Sequence, residues 1–190
     1  MSFANAGFGH RLADTIFSNW LANGLYKKYI YSLGLEGDEN VLDFGSGSGA
    51  GSRHFARILS ENGGQLTCLD TSKPWMKTAM RRLNKYSNVR FITDDIRNAD
   101  IPNRSFDIIS IHIMLHDIDK GERPEIVRAL AASLRSGGKL FIREPVNPSH
   151  GMPADEIRLL MTGNGLRETS FEISKIIFAG PVYTGRFVMG

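Results

Sequence analysis

Short apolar runs alternate with longer stretches in which apolar residues recur at helical spacing, over nearly the whole chain. The runs at 40–44, 65–69, 89–93, 106–112 and 139–144 read as strands, and the segments at 51–61, 73–85 and 121–135 between them as helices. In the third helix Ile126, Val127, Leu130 and Leu134 form the core stripe, and Ser136-Gly137-Gly138 is expected to end it. A helix at 153–163 follows, then two strands, Phe171 to Phe178 and Val182 to Val188, about a Gly180-Pro181 corner that predicts a hairpin. Alternating strands and helices predict an α/β sandwich with a mostly parallel sheet covered on both faces. Residues 1–35 precede this core, with Leu12, Ile16, Phe17, Trp20 and Leu21 spaced as an amphipathic helix that packs on it.

Composition adds limits. A chain of 190 residues, 42% hydrophobic and 23% charged, can bury a core and is most simply one domain. The net charge of +3 is only mildly basic, and no Lys/Arg run interleaved with aromatics marks a nucleic-acid track, so a nucleic-acid partner is not expected. No apolar stretch reaches the length of a membrane span. The single Cys68, inside an apolar strand, reads as a buried thiol suited to a reducing cytoplasm, the expected location.

The candidate chemistry begins at Val41-Leu42-Asp43-Phe44-Gly45-Ser46-Gly47-Ser48-Gly49, a strand ending in an acid and then a glycine loop opening onto a helix. Gly45, Gly47 and Ala50 satisfy a dinucleotide-type spacing, with Asp70 placed for a ribose. Asp43 argues against that ligand, because a carboxylate beside the loop repels a pyrophosphate and attracts an ammonium. S-adenosylmethionine carries an ammonium, a ribose and a neutral purine.

Asp43 to Gly49 resembles the first motif of class I S-adenosylmethionine-dependent methyltransferases of the small-molecule type. The resemblance continues in Leu69-Asp70-Thr71-Ser72, in Val89 to Ile96, in Ser105 to Ser110, and in Leu134 to Leu140. It implies a Rossmann-like three-layer fold with a seven-stranded sheet of order 3-2-1-4-5-7-6, ending in an antiparallel hairpin. It also implies one methyltransferase domain over 1–190, with 1–35 as a helical lid and 36–190 as the cofactor-binding core. The cofactor would be S-adenosylmethionine, leaving as S-adenosylhomocysteine, and the partner a small-molecule methyl acceptor at oxygen, nitrogen or carbon.

In this reading Asp43 holds the methionine ammonium, and the backbone amides of Gly45, Ser46, Gly47 and Gly49 face the methionyl and ribose portions. Asp70, followed by Thr71, accepts from the ribose diol. Trp75 stacks on the adenine or belongs to the core. Asp95 accepts from the adenine amine, with Asp94 competing, and Ile96 offers its amide. His112 lines the cofactor pocket. The resemblance puts methyl transfer at the end of the fourth strand, where His116 and Glu144 are the candidate catalytic pair. A metal held by His112, His116 and Glu144 lacks a spacing signature, and no metal is expected. His10 and His150 are isolated and read as surface residues.

Overall fold

The computed structural model describes residues 22–147, 151–176 and 180–190. Leu12, Ile16, Phe17, Trp20 and Leu21 of the predicted N-terminal helix, with His10 and His150, lie outside the described residues. Seven strands form one sheet in the order β3-β2-β1-β4-β5-β7-β6, the expected order. The chain divides into two compact units, residues 1–99 and 100–190.

In the first unit, α1 (Ala22–Ser32) precedes β1 (Asn40–Phe44), α2 (Ser52–Leu59), β2 (Gln65–Leu69), α3 (Lys73–Arg82) and β3 (Val89–Ile92). β1 pairs in parallel with β2, and β2 with β3, so that Asp43 is in register with Cys68, and Cys68 with Phe91. Val41, Leu42, Phe44, Leu66 and Leu69 are buried, as are Phe55, Ala56 and Leu59 of α2 and Met76 and Ala79 of α3. Each large apolar side chain sealed in this way contributes roughly 1.5–3 kcal/mol. Cys68 is buried as expected, and burial pushes its thiol pKa up.

The second unit holds β4 (Phe106–His112), a short 3-10 turn (Leu115–Asp117), α4 (Arg123–Ser133), β5 (Leu134–Pro145), α5 (Ala154–Thr162), β6 (Leu166–Ile176) and β7 (Gly180–Met189). β4 and β5 are parallel, whereas β7 pairs antiparallel with both β5 and β6, giving the predicted terminal hairpin. Several boundaries differ from expectation, two of them with a clear local cause. The third predicted helix stops at Ser133, because Leu134 already pairs with Phe106 as strand. The expected stop sequence instead lies in a register shift: after Phe106–Leu134 the ladder resumes at Ile108–Lys139, and Gly137 turns at φ +72°. β6 begins earlier than predicted, at Leu166 directly after Gly165, whose φ is +80°.

Candidate functional site

Asp43, next to last in β1, is 6% exposed, and its Oδ2 accepts a 2.6 Å hydrogen bond from Ser52 Oγ. Burial raises its pKa, the Ser52 bond lowers it and the nearby Asp70 charge raises it again, leaving it at about 6. Asp43 does not cap α2, whose N-cap is Gly51. A buried carboxylate with one short bond and a raised pKa is costly for the fold. An ammonium placed beside it would stabilise the charge.

The amides of Gly45 and Ser46 both donate to Leu69 O at 2.9 and 3.1 Å, and Gly49 N donates to Ser46 O at 2.9 Å. Gly47 N donates to Asp70 Oδ2 at 2.9 Å. The four amides expected to face a ligand are therefore spent within the first unit, where they lock the loop onto the end of β2. A pyrophosphate cradle needs such amides free, so the geometry disfavours a dinucleotide.

The glycines also divide by role. A Cβ on Gly47, at φ +51°, would meet nothing within 4 Å, which leaves its face open. At Gly49, at φ +74°, a Cβ would lie 3.1 Å from Ala79 Cβ and 3.3 Å from Leu83 Cδ1. Gly49 is therefore required by the packing of α3. Arg82 closes the loop from that helix, donating to Ser48 O and Oγ at 3.0 and 2.8 Å, while Ser46 Oγ lies 3.7 Å from Met76 Sδ.

Asp70 is a hinge of the same loop. Besides Gly47 N it accepts from Ser72 N at 2.8 Å, and burial raises its pKa against these two bonds. The cap of α3 is Ser72, whose Oγ accepts from Trp75 N, so Asp70 is not the cap. Each of its oxygens takes one backbone N–H and keeps a second lone pair for a ligand. Thr71 is exposed and Trp75 half-buried, and it is Met76 that enters the core. Asp95, half-buried, accepts from Arg97 N, Nε and Nη2, the last at 2.6 Å, which lowers its pKa. Asp94 is occupied with Asp95 N at 2.7 Å, and Ile96 is buried.

In the second unit the backbone is strained at the end of β4. Ile113 adopts φ +53°, a conformation costly for a β-branched residue, and its N donates to Arg143 O at 2.7 Å. Glu144, fully buried on β5, gathers the turn that follows. Its Oε1 accepts from Met114 N and Leu115 N at 2.9 and 2.6 Å, and its Oε2 meets His116 Nδ1 at 2.6 Å. A carboxylate accepts, so Nδ1 carries the hydrogen and Nε2 is the other functional nitrogen, 3.3 Å from Asp117 Oδ1. Burial lowers the His116 pKa, but the Glu144 bond and charge, with Asp117 adding, prevail and raise it. His112, in register with Arg143, is driven by burial and the Arg143 charge down to about 3 and is neutral at physiological pH. No group of His, Cys, Asp or Glu fit for a metal ion occurs among the described residues, and none of their helices is long and apolar enough to cross a membrane.

The first three sequence candidates brought together are thus Asp43, Gly47 and Asp70; a second set, His116 and Glu144, meets at the end of β4. Ser52 and Arg123 were not singled out from the sequence. Ser52 is an ordinary first-turn serine, and Arg123 reads as a solvated charge between Glu122 and Pro124.

This fold and loop are those of a class I methyltransferase domain. A family described as a methyltransferase domain matches residues 41–138, just over half the chain, and the chain belongs to it. The ubiquinone/menaquinone biosynthesis C-methyltransferase UbiE of Azotobacter vinelandii is 28% identical over 154 residues, covering 79% of this chain and 59% of that protein. The chain spans about three fifths of the length of the curated relatives it matches. Among solved structures, the N-methyltransferase NodS of Bradyrhizobium japonicum with S-adenosylhomocysteine superposes with a TM-score of 0.70 at 18% identity, covering 97% of this chain and 89% of that one. The [4+2]-cyclase SpnF superposes with a TM-score of 0.75 at 16% identity, covering 88% and 81%.

Proposed function

We propose that the protein is an S-adenosylmethionine-dependent methyltransferase of a small molecule, with a hydroxyl as the methyl acceptor. The observation that carries the cofactor is the pairing of buried Asp43 with a loop whose amides are already spent. Such a site suits an ammonium and a ribose. The residues fit the cofactor: Asp43 would take the ammonium, Asp70 the ribose hydroxyls through its remaining lone pairs, and the open face of Gly47 would accept close approach. Trp75, half-buried, would stack on the adenine. Asp95 would accept from the adenine amine through the remaining lone pair of Oδ2, which takes one bond from Arg97, and Ile96 would offer its amide. Bound S-adenosylmethionine supplies an activated methyl group, which asks the protein only for positioning and for proton removal.

The acceptor chemistry follows from His116. Glu144 fixes Nδ1–H, leaving Nε2 to take a hydroxyl proton, an arrangement needed by an alcohol or phenol and superfluous for an amine that is already a free base. Glu144, sealed from solvent and bound to three donors, orients the base and is not itself a proton acceptor in the reaction. The second reading is a protein that binds S-adenosylmethionine without methyl transfer; the likeness to a [4+2]-cyclase favours keeping it, because this fold also serves proteins named for other reactions. The buried Cys68 supports a reducing cytoplasmic setting.

Calorimetry with S-adenosylhomocysteine and with NAD tests the cofactor, and transfer of labelled methyl from S-adenosylmethionine into fractionated metabolite extracts tests the reaction. Binding of S-adenosylhomocysteine together with a labelled methyl ether is expected. Binding of NAD alone would overturn the proposal, and binding without any labelled product would favour the second reading.

A further inference from the structure

Arg123, at the start of α4, is 8% exposed, and all three of its donor positions are committed. Nη2 donates to His116 O at 2.8 Å and Nε to Ile118 O at 2.9 Å, while Nη1 meets Glu156 Oε1 of α5 at 2.7 Å. The side chain thus grips the backbone of the His116 turn on both sides of Asp117. Glu144 grips the same turn through Met114 N, Leu115 N and the imidazole itself. Between β4 and α4 the turn is therefore fastened by one buried acid and one buried base. Its entry is the strained Ile113, whose unfavourable φ persists only where surrounding contacts enforce it. A guanidinium is suited to this task, since its planar fork satisfies two carbonyls and a carboxylate at once, which an ammonium on a flexible stem does not.

We propose that Arg123, oriented by Glu156, is a positioning residue that holds the His116 turn so that the imidazole stays seated on Glu144. This deepens the base role given above to His116, but its test uses no methyl acceptor. Failure of the methyltransferase reading and failure of the clamp are therefore separate results.

The signs of two effects make the test decisive. The charged groups facing His116 are Glu144 on β5, Asp117 on its own turn and Arg123 on α4. If Arg123 acted only through its charge, removing it would raise the His116 pKa, because a nearby cation disfavours imidazolium. If it holds the turn, removing it loosens the bond to Glu144, and the pKa falls toward the ordinary 6.5.

The experiment is an NMR titration of the His116 ring in the full chain, for the parent, Arg123→Gln, Arg123→Lys and Glu156→Gln, with His116→Gln giving the assignment. Arg123→Gln is expected to lower the His116 pKa by about half a unit or more. Arg123→Lys, which keeps the charge, is expected to lower it as well, and Glu156→Gln to lower it less. S-adenosylhomocysteine affinity and far-UV circular dichroism report whether each variant is folded. Should Arg123→Gln not fold, Glu156→Gln and Arg123→Lys carry the test by themselves. An unchanged or raised pKa in the folded variants would overturn the proposal.

Discussion

Asp43→Asn separates the cost of the buried acid from its use. A shift from 3.8 to about 6 means that ionising Asp43 in the native state costs about 3 kcal/mol relative to the unfolded chain. The sign follows from proton counts. Below pH 3.8 both states hold the proton; as the pH rises toward 6 the unfolded chain loses it first, so stability falls through this window and levels above it. Asparagine keeps an oxygen for the Ser52 hydroxyl, but its amide brings a buried donor that offsets about 1 kcal/mol. The variant should therefore match or slightly trail the parent near pH 4 and exceed it by about 2 kcal/mol at pH 8. Urea unfolding of both proteins across pH 4 to 8 measures the difference directly, and subtraction removes every titrating group they share. The same variant should lose affinity for S-adenosylhomocysteine, while the parent's affinity rises with pH through about 6 as Asp43 becomes ionised. A variant no more stable than the parent at pH 8, or one that binds as well, would refute the reasoning that this acid is kept for a cation at the expense of the fold.

Asp70→Ala should weaken S-adenosylhomocysteine binding by about 1.5–3 kcal/mol, and it should also destabilise the free protein by about 1–3 kcal/mol because Gly47 N and Ser72 N lose their acceptor; calorimetry and denaturant titration read the two effects separately. Gly49→Ala combines a positive φ with a 3.1 Å contact to Ala79 and should cost about 1–3 kcal/mol, measured by thermal unfolding, whereas Gly47→Ala, with open space around it, should cost less and show mainly in ligand affinity. Once an acceptor is known, His116→Ala should lower turnover by about 10²–10⁴-fold with cofactor affinity unchanged. The parent's rate should rise with pH through the raised His116 pKa, and Glu144→Gln should move that inflection to lower pH; a rate independent of pH from 6 to 9 would remove His116 as the base.

The strands of the parallel core were legible in the sequence because a buried strand reads as a short apolar run and a helix between two such runs carries its own stripe, the hairpin because of its Gly180-Pro181 corner, whereas the strand order came from the family resemblance. Asp43, the glycines and Asp70 were legible for a similar reason: turn chemistry and an acid at a strand end are written in adjacent residues. The end of α4 was not, because the local stop signal at Ser136 to Gly138 competes with a long-range one, and pairing of Leu134 with Phe106 wins. Hydrogen-bond partners were likewise beyond the pattern. Nothing in Gly45 to Gly49 says that their amides are spent on Leu69, Ser46 and Asp70, or that Gly49 serves α3 while Gly47 stays open. His116 and Glu144 stand 28 residues apart, and Arg123 and Glu156 stand 33 apart. Sequence periodicity registers which face a residue occupies but not which distant side chain meets it there. The sequence by itself determined the sheet and the residue types at its strand ends; tertiary contact decided which of them are free to act and which are spent holding the others in place.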